Sequence, residues 1–133
     1  MFKTKKGFTL VELLIVISII AVLTLLGATN WIAQQQKARD ARRKADLEQI
    51  RSALEMYRTD KATYPIGNQT VLPAALDPKS VDPSSTEPTY ISPIPKDPKT
   101  KLAYTYVSIS PGATYTLTAG GMEKEIPYIV YNP

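Results

Sequence analysis

From Phe8 to Ile32 apolar side chains occupy almost every position, and no charge interrupts the chain between Leu13 and Gln36. At about 1.5 Å per helical residue this run is long enough to cross a hydrocarbon core of roughly 30 Å, so the pattern predicts an apolar helix over residues 8–33. The pattern then changes period. Leu47, Ile50, Leu54 and Tyr57 recur at spacings of three and four, and Ala38, Ala41 and Ala45 read as a small-volume continuation of the same stripe. With neither Gly nor Pro between Ala28 and Ala62, the two halves read as one unbroken helix from about Thr9 to about Asp60, its stem over 34–61 amphipathic.

Residues 62–100 carry eight of the chain's prolines: Pro65, Pro73, Pro78, Pro83, Pro88, Pro93, Pro95 and Pro98. Fixed φ and missing amide donors exclude long helices and central strands, which leaves an ordered surface loop with one helical turn around Ala74–Leu76. The "NQT" at 68–70 and the cluster Ser84, Ser85 and Thr86 match sugar-acceptor patterns but read more simply as solvated loop. Within 101–133 the period becomes two: "LAYTYVSI", "ATYTLTA" and "IPYIVY" are Tyr-, Thr-, Val- and Ile-rich and separated by "SPG" and "GGMEKE". They predict a three-stranded antiparallel meander that covers the stripe Leu47, Ile50, Leu54 and Tyr57, hence an α+β chain.

Charge alters this picture little. The formal net charge is +4, but Lys3, Lys5 and Lys6 precede the apolar run; without residues 1–7 the balance is 16 − 3 = 13 basic against 12 acidic residues, or +1. The run "KARDARRKADLE" interleaves Asp40, Asp46 and Glu48 with its bases and has no aromatic side chain before Tyr57, which reads as a solvated mixed-charge face and argues against nucleic acid. With no Cys and no His, thiol catalysis, disulfides and Cys/His metal sites are excluded. There is also no nucleophile elbow, phosphate loop or spaced carboxylate pair, so no catalytic residue is assigned.

One position demands a reason. Glu12 stands within the apolar segment "KKGFTLVELLIVISII", and a carboxylate in a membrane-spanning helix costs a few kcal/mol unless it is paired. The segment resembles the prepilin signal of type IV pilins and of the related pseudopilins of type II secretion. The features that match are a basic leader, Gly7, Phe8, and Glu12 four residues later in an uncharged helix. The stem Lys37–Arg58, Tyr64 with Pro65, and "PKDP" at 95–98 extend the likeness to the major pseudopilin.

The resemblance implies a type IV pilin-like fold in five segments. These are a prepilin leader at 1–7, a transmembrane and filament-core helix at 8–33, a helical stem at 34–61, an αβ-loop at 62–100 and a β-sheet head at 101–133. It further implies cleavage between Gly7 and Phe8 by a prepilin peptidase, N-methylation of Phe8, and pairing of Glu12 with the Phe8 amine of a neighbouring subunit. Because that amine exists only after cleavage, the pair would set the register of processed subunits in a homo-oligomeric filament.

The precursor would cross the bacterial cytoplasmic membrane once with its N-terminus in the cytoplasm. An inner-membrane assembly platform and a motor ATPase would then assemble it into a periplasmic or extracellular filament. Counting cations alone favours the opposite orientation, since Lys37, Arg39, Arg42, Arg43 and Lys44 outnumber the three leader lysines.

The reading is therefore a structural subunit of a type IV pilus-like filament, with a type II secretion pseudopilin as the alternative and a monomeric membrane-anchored interaction domain as a rival of another class. The likeness to major pseudopilins also implies calcium in the C-terminal loop. The matching stretch "LTAGGMEKEIP" offers Glu123 and Glu125 around Lys124 with no Asp cluster, too few oxygens for a hard cation, so no cofactor is carried over. Asp97 reads as a turn residue between prolines. Where many relatives have a helix-breaking Pro near the end of the apolar run, this chain has Thr29. Gly27, Thr29 and Asn30 then form a soft spot, not a break.

Overall fold

The computed structural model describes residues 7–109 and 112–131, with the backbone alone at 26–30 and 109. The leader lysines Lys3, Lys5 and Lys6 lie outside the described residues. The chain divides into two units, Met1–Gln35 and Gln36–Pro133.

Helix α1 runs Leu10–Lys61 as one element. It passes through the expected soft spot, where the backbone at Gly27, Thr29 and Asn30 is helical and the side chains lie outside the described residues. In the first unit the side chains from Leu10 to Leu25 are exposed all round in the single chain. Among the described residues no helix is long and apolar enough to cross a membrane.

In the second unit α1 buries one face, and its phase differs from the expected stripe. Ala38, Ala41 and Ala45 are exposed, whereas the inward positions are Asp40, Arg43, Leu47, Ile50 and Leu54. Spacings of three and four hold throughout that series, so helical geometry carries two charged residues onto the core side. Leu47, Ile50 and Leu54 are essentially sealed, and burial of each such side chain contributes about 1.5–3 kcal/mol. The helix stops at Ala62, whose φ of 64° lies in the left-handed region while its amide still donates to the Arg58 carbonyl at 2.8 Å.

The Pro-rich segment is ordered as expected and carries more helix than expected. It forms α2 (Val71–Leu76), in place of a single turn, and α3 (Pro78–Val81), which Pro78 opens at a position where the missing amide costs nothing. Leu72 and Leu76 anchor α2 in the core. Strands β1 (Thr105–Ile109), β2 (Thr114–Ala119) and β3 (Tyr128–Tyr131) form the antiparallel meander in the order β1-β2-β3, with Tyr106 opposite Leu117 and Leu117 opposite Val130. Tyr106, Tyr115, Leu117, Ala119 and Val130 form one core with Leu47, Ile50 and Leu54, and Tyr57 packs against it at partial burial.

The loop also covers the outer edge of β1: Asn68 bridges Val107, and the Ser108 amide donates to the Gly67 carbonyl at 3.1 Å. At the β1–β2 turn Gly112 takes a φ of 80° and passes so close to the helix exit that an added Cβ would stand 2.7 Å from the Tyr64 carbonyl oxygen.

Candidate functional site

The residues assigned to processing and assembly lie where α1 begins. Thr9 caps the helix. Its amide and its hydroxyl both donate to Glu12 Oε2, at 3.0 and 2.8 Å, and the Glu12 amide donates back to Thr9 Oγ1 at 3.2 Å. This reciprocal arrangement is a capping box, in which an N-cap hydroxyl and an N3 carboxylate satisfy each other's orphan amides. Glu12 therefore has a role within its own chain that its polarity alone did not reveal, although the Thr-x-x-Glu spacing carried the signal. Gly7 precedes the helix, and among the described residues a Cβ added there would meet nothing within 4 Å. Phe8 beside it is 77% exposed.

A second cluster lies in the other unit. Arg43 is completely buried; its Nε donates to Asp97 Oδ2 at 2.6 Å and its Nη1 to Asp40 Oδ1 at 2.7 Å. Asp97 is a turn residue as expected, accepting the amides of Lys99 and Thr100 at 2.8 and 2.7 Å, but it is also 6% exposed and ion-paired. Asp40 accepts the amides of Glu123 and Lys124, which ties the β2–β3 connection to α1. Arg39 grips Glu123 through two bonds of 2.6 and 3.0 Å, and Lys99 adds a third at 3.1 Å. At the margin Lys44 pairs with Glu125, and the Tyr104 hydroxyl donates to Asp46 at 2.6 Å.

The expected solvated face of the stem is thus corrected at Arg39, Asp40 and Arg43, which fasten the head. The signal available in the sequence was the phase of the helix: steps of four and three back from Leu47 reach Arg43 and Asp40. No pattern announced their partners Asp97 and Glu123.

The electrostatics follow from these contacts. The Arg43 guanidinium holds the Asp97 carboxyl well below the ordinary carboxylate range despite burial, with the Thr100 and Lys99 amides adding to it. Arg39 and Lys99 bring Glu123 down to about 2. Burial works to raise Asp40, and the Glu123 and Lys124 amides together with Arg43 outweigh it. Burial disfavours the Arg43 charge, yet Asp97 and Asp40 hold its pKa above the ordinary value.

A long helix, apolar at its start, capped by Thr9 with an acid in its first turn, that leads into a helix-and-meander head defines a pilin-like subunit. A family described as "Prokaryotic N-terminal methylation motif" matches residues 2–28. A second, described as "Type II secretion system (T2SS), protein G", matches residues 30–126, and the chain belongs to that family of structural pseudopilin subunits, which are not enzymes. Among its relatives is a type II secretion system core protein G from Escherichia coli K12, 32% identical over 126 residues that cover 92% of this chain and 85% of the relative. The core protein G of Vibrio cholerae is 30% identical over 127 residues, covering 91% and 85%, and that of Klebsiella pneumoniae is 34% identical over 110, covering 81% and 76%. No solved structure matches the chain significantly. The pseudopilin alternative therefore replaces the type IV pilus subunit as the better reading.

Proposed function

We propose that this chain is a filament-forming pseudopilin of a type II secretion system, made as a membrane-anchored precursor. A prepilin peptidase cleaves between Gly7 and Phe8 and methylates the new amine of Phe8. The apolar half of α1 then leaves the cytoplasmic membrane and packs against its counterparts in a homo-oligomeric filament, while the head faces outward. An inner-membrane platform and a motor ATPase drive this assembly.

The observation that carries the reading is the combination at the start of α1. There Gly7 is followed by an exposed Phe8, by Glu12 in a capping box with Thr9, and by an apolar surface whose described side chains, Leu10 to Leu25, are exposed. Such a surface needs lipid or other subunits. Glu12 supplies register, because apolar packing alone is nearly indifferent to axial sliding, whereas a carboxylate facing a neighbour's cationic Phe8 is not. Before assembly the same carboxylate is kept hydrogen-bonded by Thr9, so the precursor does not hold a bare charge.

Deletion of the gene in the source organism tests the function. Loss of enzyme secretion, with surface pili and their motility intact, is the expected phenotype. Normal secretion combined with loss of pili would contradict the proposal.

A further inference from the structure

The likeness to major pseudopilins implies a calcium ion at the β2–β3 connection, but the residues there do not fit one. Calcium takes six to eight oxygens with lone pairs to offer. In this chain both oxygens of Asp40, of Asp97 and of Glu123 already accept from N–H donors. Asp40 takes Arg43 Nη1 and the amides of Glu123 and Lys124; Asp97 takes Arg43 Nε and Nη2 and the amides of Lys99 and Thr100; Glu123 takes Arg39 Nε and Nη2 and Lys99 Nζ. Three carboxylates meet three cations, Arg39, Arg43 and Lys99, so the charge is balanced without any ion. A dication placed among them would leave two uncompensated positive charges in a partly buried site.

We propose that the Arg43 guanidinium is a built-in cation that fastens the β2–β3 connection to α1, so that the head folds independently of divalent metal. Arg43 is suited to this because its planar fork serves Asp97 with one edge and Asp40 with the other. Asp40 then passes the restraint to the loop through the amides of Glu123 and Lys124. Glu123 Oε1 itself stands 3.6 Å from Arg43 Nη1. Gly121 lies against the same pair, where an added Cβ would meet Asp97 Oδ2 at 3.2 Å. The inference goes beyond the filament reading and stands apart from it, since it concerns how the head is held and not what the subunit assembles into.

The test uses the purified full-length chain in detergent micelles, unfolded thermally in excess EDTA and in millimolar calcium chloride. The Tm is expected to be the same in both, within about 1 °C. An ion bound at a hundredfold its dissociation constant would raise Tm by roughly 10 °C in a domain of this size, and a rise of that order would overturn the proposal. Tryptic cleavage after Lys124, an exposed site on the fastened loop, is expected to proceed at one rate in both buffers, and protection by calcium would also overturn it.

Arg43→Lys keeps the charge and loses the fork. Its Tm is expected to fall by about 10 °C or more and its cleavage after Lys124 to quicken, equally with and without calcium. A variant as stable and as protected as the parent would contradict the assignment. If Arg43→Lys fails to fold, the comparison of buffers on the parent chain decides alone.

Discussion

Arg43, in the middle of α1, donates to the carboxylate of Asp97, fifty-four residues away in the turn of "PKDPK", across 2.6 Å and out of solvent. The contact joins the stem to a loop that lies far from it in sequence, and both partners are more than nine-tenths buried. Removing Asp97 leaves three cations, Arg39, Arg43 and Lys99, facing two carboxylates, with Arg43 bonded to Asp40 by Nη1 and its Nε and Nη2 stripped of the Asp97 acceptor. Asp97→Ala is therefore expected to cost about 3–5 kcal/mol in urea unfolding of the full-length chain. A loss below about 1 kcal/mol would show the pair to be as weak as a surface ion pair.

The same cluster gives the head an acid-sensitive stability. Asp97, Asp40 and Glu123 all have folded pKa values below those of the unfolded chain, Glu123 at about 2. Groups depressed in this way stabilise the fold fully above their unfolded values, near 4, and lose that contribution as pH falls through the folded values. Stability should thus be level from neutral pH down to about 5 and decline between about 4.5 and 2, with or without EDTA. An unfolding midpoint that stays constant from pH 6 to pH 3 would contradict the assigned shifts.

Most of the fold was legible because it rests on local periodicity. The long helix from about Thr9, the meander and the stripe Leu47, Ile50 and Leu54 follow from spacings of three and four or of two. In the upper stem residue type and helical phase disagree, and phase decides burial. Ala38, Ala41 and Ala45 look like core and lie outside, while Asp40 and Arg43 look like surface and lie inside. Polarity misleads there because their partners, Asp97 and Glu123, arrive from loops whose approach no local pattern records. Helix α3 was hidden for a related reason, since a Pro that forbids a helix interior is welcome at its first position. At the amino terminus the motif is legible as a family likeness, and the Thr-x-x-Glu spacing of Thr9 and Glu12 also encodes a capping box.

That capping box allows the two roles of Glu12 to be separated. Glutamine at N3 completes a capping box as well as glutamate does, but it carries no charge for a neighbour's amine. Glu12→Gln should leave the circular dichroism of the subunit and its processing unchanged and lower filament yield as sharply as Glu12→Ala. Thr9→Ala, which removes the cap at a cost of about 1 kcal/mol to the first turn, should retain more assembly than either. Full assembly by Glu12→Gln would mean that the carboxylate serves the helix start alone.

Cleavage at the Gly7–Phe8 bond is the claim on which the proposed function rests, and the covalent start of the mature chain tests it most directly. Intact mass and N-terminal sequencing of the protein recovered from filaments should give a chain that begins at N-methylated Phe8. A Gly7→Leu variant should accumulate uncut in the membrane with the head's Tm unaltered, since no described residue stands within 4 Å of a Cβ added at Gly7. Filament subunits that retain residues 1–7, or that begin beyond the apolar run near Ala28, would contradict the account.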